Sequence, residues 1–134
     1  MKKALIIIIA VLACAASAAF GALAVFYAVP VKKDPGYSNI YEAGEISDAI
    51  DEVEKKFAEF KGCKLFALKY AGDEESAREN ESVENYDETI VIDSVFLSPF
   101  FGGGAWNAHS IYTWHFVLAR TYGGEWQIVN YGYA

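Results

Sequence analysis

The stretch IYTWHFVLARTYGGEWQIVNYGY, residues 111–133, holds two runs of alternating side chains separated by Gly123-Gly124. In the first, Tyr112, Trp114, Phe116 and Leu118 oppose Ile111, Thr113, His115, Val117 and Ala119. In the second, Trp126, Ile128 and Asn130 oppose Gln127, Val129 and Tyr131. A period of two marks a strand, because successive side chains leave opposite faces of the pleat. The glycine pair accepts the positive φ that a tight hairpin turn requires. Two antiparallel strands are therefore predicted over Ile111–Arg120 and Glu125–Tyr133. Aromatics on both faces point to a curved sheet that clasps a helix on one side and is partly covered on the other.

Working back along the chain, Cys63–Tyr70 places Phe66, Leu68 and Tyr70 on one face of a further strand, and Thr89–Ser98 is dense in β-branched and apolar residues. Between Ile46 and Lys61 the pattern changes. Ile46, Ile50, Val53, Phe57 and Phe60 recur at spacings of four and three, which keeps them on one face of a helix. Acidic residues crowd its early turns and Lys61 comes last, as the helix dipole favours, and Gly62 is a natural stop. Its first residue falls between Ala43 and Asp48. The predicted class is α+β: an N-terminal transmembrane helix, then one amphipathic helix packed on a curved, cone-like antiparallel sheet of about four strands.

The leader decides where this domain works. Residues 4–29 carry no charge and are bracketed by Lys2-Lys3 and Lys32-Lys33. As a helix this run is roughly 39 Å long, enough to cross a hydrocarbon core of ~30 Å with some tilt. Lys2-Lys3, the Leu5–Leu12 run and Ala16-Ser17-Ala18 also satisfy a cleavable signal peptide. Cleavage near Ala18 would release a secreted product whose first dozen or so residues, including Phe20, Leu23, Val25, Phe26 and Tyr27, stay apolar, a poor soluble terminus. An uncleaved signal-anchor over 1–31 explains the full length better. Val11-Leu12-Ala13-Cys14 loosely resembles a bacterial lipobox, but Ala15-Ala16 leads back into apolar sequence where a polar tether is expected. The positive-inside rule weakly favours an inside amino terminus, hence a single-pass protein of the cell membrane with its C-terminal domain outside. Asp34-Pro35-Gly36-Tyr37-Ser38 opens a turn-rich linker, residues 32–44, and the domain occupies 45–134.

All 18 acidic residues lie at or after Asp34, whereas Lys2, Lys3, Lys32 and Lys33 precede it. The domain is thus more acidic than the whole chain's net charge of −7, and it repels phosphate backbones; nucleic-acid binding is disfavoured. Cys63 has no thiol partner within the domain, so core packing rather than a disulfide framework must stabilise it. From Gly72 to Glu88 the chain carries eight acidic residues against Arg78 alone, a solvated run with room for a short helix. The spacing of a calcium loop is missing, and no cofactor or metal is expected.

One amphipathic helix followed by long antiparallel strands, closed by Tyr112–Arg120 and Gly123–Tyr133 with their tryptophan and Tyr-Gly-Tyr ending, resembles the nuclear-transport-factor-2-like superfamily, the cystatin-like α+β cone. Phe60-Lys61-Gly62-Cys63-Lys64-Leu65 with the later triple glycine is similar to an uncharacterised group of bacterial envelope proteins within it. The resemblance spans about residues 45–133. It implies a bent sheet around a helix with a pocket at its mouth, and no established activity.

Three residues are candidates for catalysis. Asp93 lies in the apolar run Thr89–Phe96, sharing a face with Val91, Val95 and Leu97. Lining a cone, it would be a raised-pKa general base; on the outside, an ordinary surface carboxylate. His109 and His115 are the only histidines, and a His–Asp pair across neighbouring strands would support the proton transfers of an isomerase or hydrolase. The segment Pro99–His109 is the more distinctive. Phe100, Phe101 and Trp106 flank Gly102-Gly103-Gly104 and are the candidate binding residues, able to gate a pocket, contact a partner or enter the bilayer interface. They would otherwise plug the core. The sequence therefore points to a membrane-anchored, extracytoplasmic, non-enzymatic module that binds an envelope protein or small apolar ligand. A small-molecule enzyme using Asp93 with a histidine, and a structural envelope component, are the alternatives.

Overall fold

The computed structural model describes Lys2 to Ala134; Met1, the first residue of the leader, and the side chains of Leu23 and Ala24 lie outside the described residues. The chain divides between Pro30 and Val31 into two compact units. The first is helix α1, Lys2–Ala28. Leu5, Ile6, Ile7, Val11, Leu12 and Phe20 all lie more than half exposed on it, so its described surface is apolar all round. Ser17 donates its hydroxyl to the Ala13 carbonyl at 2.9 Å and so is satisfied within the helix, as apolar surroundings demand. This helix is long and apolar enough to cross a membrane.

The second unit is a five-stranded sheet in the order β1-β2-β3-β4-β5, with helices α2, Ala43–Phe57, and α3, Asp73–Asn80. The strands are β1 Lys32–Asp34, β2 Lys64–Tyr70, β3 Glu88–Leu97, β4 Ile111–Arg120 and β5 Gln127–Tyr133. β1 runs parallel to β2, and every later neighbour is antiparallel. The sheet is open and mixed. This corrects the cone-like, purely antiparallel fold read from the sequence. Lys32-Lys33-Asp34 has no strand signature in its side chains and reads as linker; it nevertheless joins the sheet through its backbone, with Lys32, Lys33 and Asp34 beside Ala67, Leu68 and Lys69. The sheet order ends at β1 and β5 without closing into a cone.

α2 forms along the predicted apolar stripe but stops at Phe57, short of the expected Lys61–Gly62 end, and its first turn is locked as Glu45 accepts the Glu42 N–H at 2.8 Å. Ile46, Ala49, Ile50, Val53 and Phe57 are buried against the inner face of the sheet, where they meet Leu68, Tyr70, Ile90, Ile92, Phe96, Trp114, Phe116 and Leu118. Phe57 sits 5.1 Å from Phe96 and 5.4 Å from Phe116, edge-on and tilted, so aromatic rings fill the space in which a cone would hold its ligand. Gly62, at φ +83°, makes the turn into β2 and lies against Pro99; a Cβ there would come within 3.2 Å of the proline ring.

Two β-bulges revise the predicted faces. One falls between Leu65 and Ala67, leaving Leu65 rather than Phe66 in register with Phe96. The other places Leu118 opposite Ile128 but Val117 opposite Asn130, making Val129 the extra residue. Tyr131 and Tyr133 therefore join Ile128 on the inner face, where Tyr131 stacks on Phe116 at 5.4 Å and on Trp114 at 5.8 Å. Asn130 turns outward. Period-two reading fails here because one inserted residue reverses everything beyond it.

Polar links tie the remaining segments down. Tyr41 is buried in the core and donates its hydroxyl to the Thr89 carbonyl at 2.8 Å, and burial pushes its phenol up to about 12. Asp73, the first residue of α3, accepts the Ser38 hydroxyl, the Asn39 N–H at 2.8 Å and the Tyr70 hydroxyl at 2.7 Å. The Ser38 bond is the leading reason its carboxyl falls below the usual 3.8. A carboxylate with a depressed folded pKa stabilises fully above its ordinary value and loses that contribution as pH falls through the folded one. Asp73→Asn is accordingly expected to cost about 1 kcal/mol at pH 7 and less at acid pH, as read by urea unfolding at the two conditions.

Candidate functional site

The loop between β3 and β4 is built before it is exposed. Ser98 donates its hydroxyl to the Asn107 carbonyl at 2.6 Å and accepts the Ser110 N–H at 2.8 Å, closing the neck. Gly102 and His109 both donate backbone N–H groups to the Pro99 carbonyl at 2.9 Å, and Gly103 pairs with Trp106. Gly102, at φ +72°, leaves no room for a side chain: a Cβ would stand 2.9 Å from the Ala108 nitrogen. Gly102→Ala is thus expected to open the loop, raising amide exchange at residues 99–109 while the strands stay protected.

The three aromatics expected to act together part company here. Trp106 turns inward, its ring 5.7 Å from Phe60, 5.9 Å from Trp114 and 6.2 Å from Phe96, and it anchors the loop to the core. Phe100 and Phe101 face solvent, 59% and 91% exposed, packed edge-on at 5.0 Å. His109 lies beside Phe100 at 5.1 Å, in the left-handed region at φ +45°. The result is an apolar tip on a braced stem.

Asp93 and His115 meet elsewhere. They oppose one another in the β3–β4 register, on the sheet face away from α2, and Asp93 Oδ1 is bonded to His115 Nδ1. Their side chains are 31% and 30% exposed. His109 is not part of this pair. A carboxylate on Nδ1 fixes the imidazole so that Nε2 can take or release a proton. Among the described residues, however, no hydroxyl or thiol is bonded to that nitrogen, and no third His, Cys, Asp or Glu completes a metal cluster. A groove of about 460 Å³ runs along Gly36–Ala43 and Ile46, and one of about 230 Å³ along Ser76, Thr89 and Tyr122; neither includes Asp93 or His115. A hydrogen-bonded pair about one-third exposed contributes ~0–1 kcal/mol, so Asp93→Asn is expected to shift unfolding by no more than that.

A third polar cluster carries no signature in the order of its residues. Arg120, its side chain 10% exposed, donates through Nε to Glu88 at 2.6 Å and pairs with Glu45 through the other arm of its guanidinium. The same guanidinium lies 4.1 Å over the Trp126 ring, and Trp126 Nε1 donates to the Glu45 carbonyl at 3.0 Å. The Arg120 bond holds the Glu45 carboxyl below the usual 4.5. This cluster joins β3, β4 and the first turn of α2. Cys63, a free thiol pushed up by burial, is correspondingly a poor nucleophile.

The chain matches no family model, no curated protein and no solved structure. With the sheet open and its first strand parallel, the resemblance to the nuclear-transport-factor-2-like superfamily is overturned, and the group of envelope proteins within it falls with it.

Proposed function

We propose that this protein is a membrane-tethered, non-enzymatic contact module, held at the outer surface by α1 and presenting Phe100 and Phe101 as its contact surface with Trp106 as their anchor. The exposure of two adjacent phenylalanines on a hydrogen-bonded stem carries this reading. Exposed apolar side chains scattered over a surface need no explanation; a braced pair at a loop tip does. The acidic exterior keeps the domain soluble and away from nucleic acid. Packing of the inner face with aromatic rings directs contact to the outside of the domain rather than to an interior ligand.

The test is photo-crosslinking in cells, with a diazirine amino acid at position 101 of the full chain. Adducts are expected there and not from position 84, in the acidic segment. Absence of adducts from position 101 would contradict the contact role.

A further inference from the structure

The two ends of the sheet differ sharply in chemistry. At one end lie the start of β2 at Lys64, the end of β3 at Leu97, the start of β4 at Ile111 and the end of β5 at Tyr133. Because β1 runs parallel to β2, the chain coming from Val31 arrives at this same end. The connecting segments here, 58–63 and 98–110, hold Glu59 as their one acidic residue and Lys61 as their one lysine. Phe100, Phe101, Ile111 and Tyr133 are exposed around them. At the opposite end, segments 35–42, 71–87 and 121–126 carry nine acidic residues (Glu42, Glu125 and seven from Asp73 to Asp87) against Arg78.

We propose that Phe100 and Phe101 enter the headgroup–acyl boundary of the bilayer that α1 crosses, holding the domain upright with its acidic end turned away from lipid. The proposal deepens the contact reading above and rests on it. Between Ala28 and Lys32 stand only Val29, Pro30 and Val31, and four peptide steps reach at most about 14 Å, so the end of the sheet where the chain arrives is kept close to the membrane. Aromatic side chains are favoured at that depth. Anionic headgroups attract Lys32 and Lys61 and repel the acidic segments, which reinforces the same orientation. Lys33 is occupied, paired with Asp51 and Glu54 of α2.

The experiment uses the full chain, with Cys14→Ala and Cys63→Ser, reconstituted in phosphatidylcholine–phosphatidylglycerol vesicles. An environment-sensitive NBD label is placed at Phe101→Cys, at Phe100→Cys, or at Glu84→Cys in the acidic segment. The expected result is blue-shifted emission at 100 and 101 that is largely lost when the phosphatidylcholine is brominated, with water-like, unquenched emission at 84. Water-like emission at both loop positions, in a chain that floats with the vesicles, overturns the proposal and leaves the tether and a protein partner at the loop standing. Equal quenching at 84 and 101 overturns it too, because the domain then lies flat. A chain that does not float with the vesicles removes the tether reading and this proposal together.

Discussion

Phe96→Ala is expected to lower the stability of the domain by about 3–5 kcal/mol, the usual cost of emptying a buried phenylalanine site. Phe96 is fully buried at the centre of the inner face. Its ring meets Phe57 at 5.1 Å and Trp114 at 5.2 Å edge-on, stacks on Tyr112 at 5.7 Å and supports Trp106 at 6.2 Å. These neighbours sit on three different segments and cannot all close over one void. A small domain holds only ~5–15 kcal/mol in total, so the variant loses a large share of it. With a urea slope of ~1–3 kcal/mol/M, the midpoint falls by about 2 M, followed through Trp106, Trp114 and Trp126. Phe101→Ala, by contrast, removes a ring that touches solvent and is expected within ~0.5 kcal/mol of the parent. The pair of measurements separates core aromatics from surface ones, and a loss below 1 kcal/mol at Phe96 would contradict the packing described.

Arg120→Gln is expected to cost about 3 kcal/mol, near the lower end for breaking a buried ion pair. The arginine is 10% exposed, Glu88 19% and Glu45 34%, so removal of the guanidinium leaves Glu88 in particular charged and shielded from water. Trp126 loses its stacking partner as well. The pH dependence has a definite sign. Glu45 is held below its ordinary value of 4.5, so its contribution is complete above that value and is lost as pH falls through the lower folded pKa. The gap between parent and variant should therefore narrow in acid. Restoring partial neutrality with Glu88→Gln in the Arg120→Gln background should recover stability, because an unpaired buried charge costs more than an absent pair. Urea unfolding of the three proteins at pH 7 and pH 3 provides the check.

How much of this was legible beforehand depended on whether a feature is written in side chains. α2 was legible because its apolar stripe is long, although the helix stops at Phe57, before the Lys61–Gly62 end the sequence suggests. The alternation of β4 was equally plain, and Trp114 and Phe116 lie on the inner face opposite to His115. β1 was invisible: two lysines and an aspartate pair through backbone atoms, which no hydropathy pattern records. The Val129 bulge was invisible for a related reason, since an extra residue alters the phase of a strand and not its composition. The closing hairpin and aromatic richness that suggested a cone belong to any helix-covered antiparallel sheet, and closure depends on strand bending that these residues do not display. For the candidate site, the neighbourhood of Asp93 and His115 followed once the strands were paired, but the face they occupy did not. Phe100, Phe101 and Trp106 were read as one group, and only the tertiary position of Phe60, Phe96 and Trp114 separates anchor from tip.

The account turns on α1 remaining in the bilayer as part of the mature protein. Intact mass spectrometry of membranes washed in alkaline carbonate tests this most directly. The predicted result is the whole 14.8 kDa chain in the pellet, its acidic domain open to protease added from outside. A shorter product beginning beyond Ala18 and recovered in the wash would contradict it.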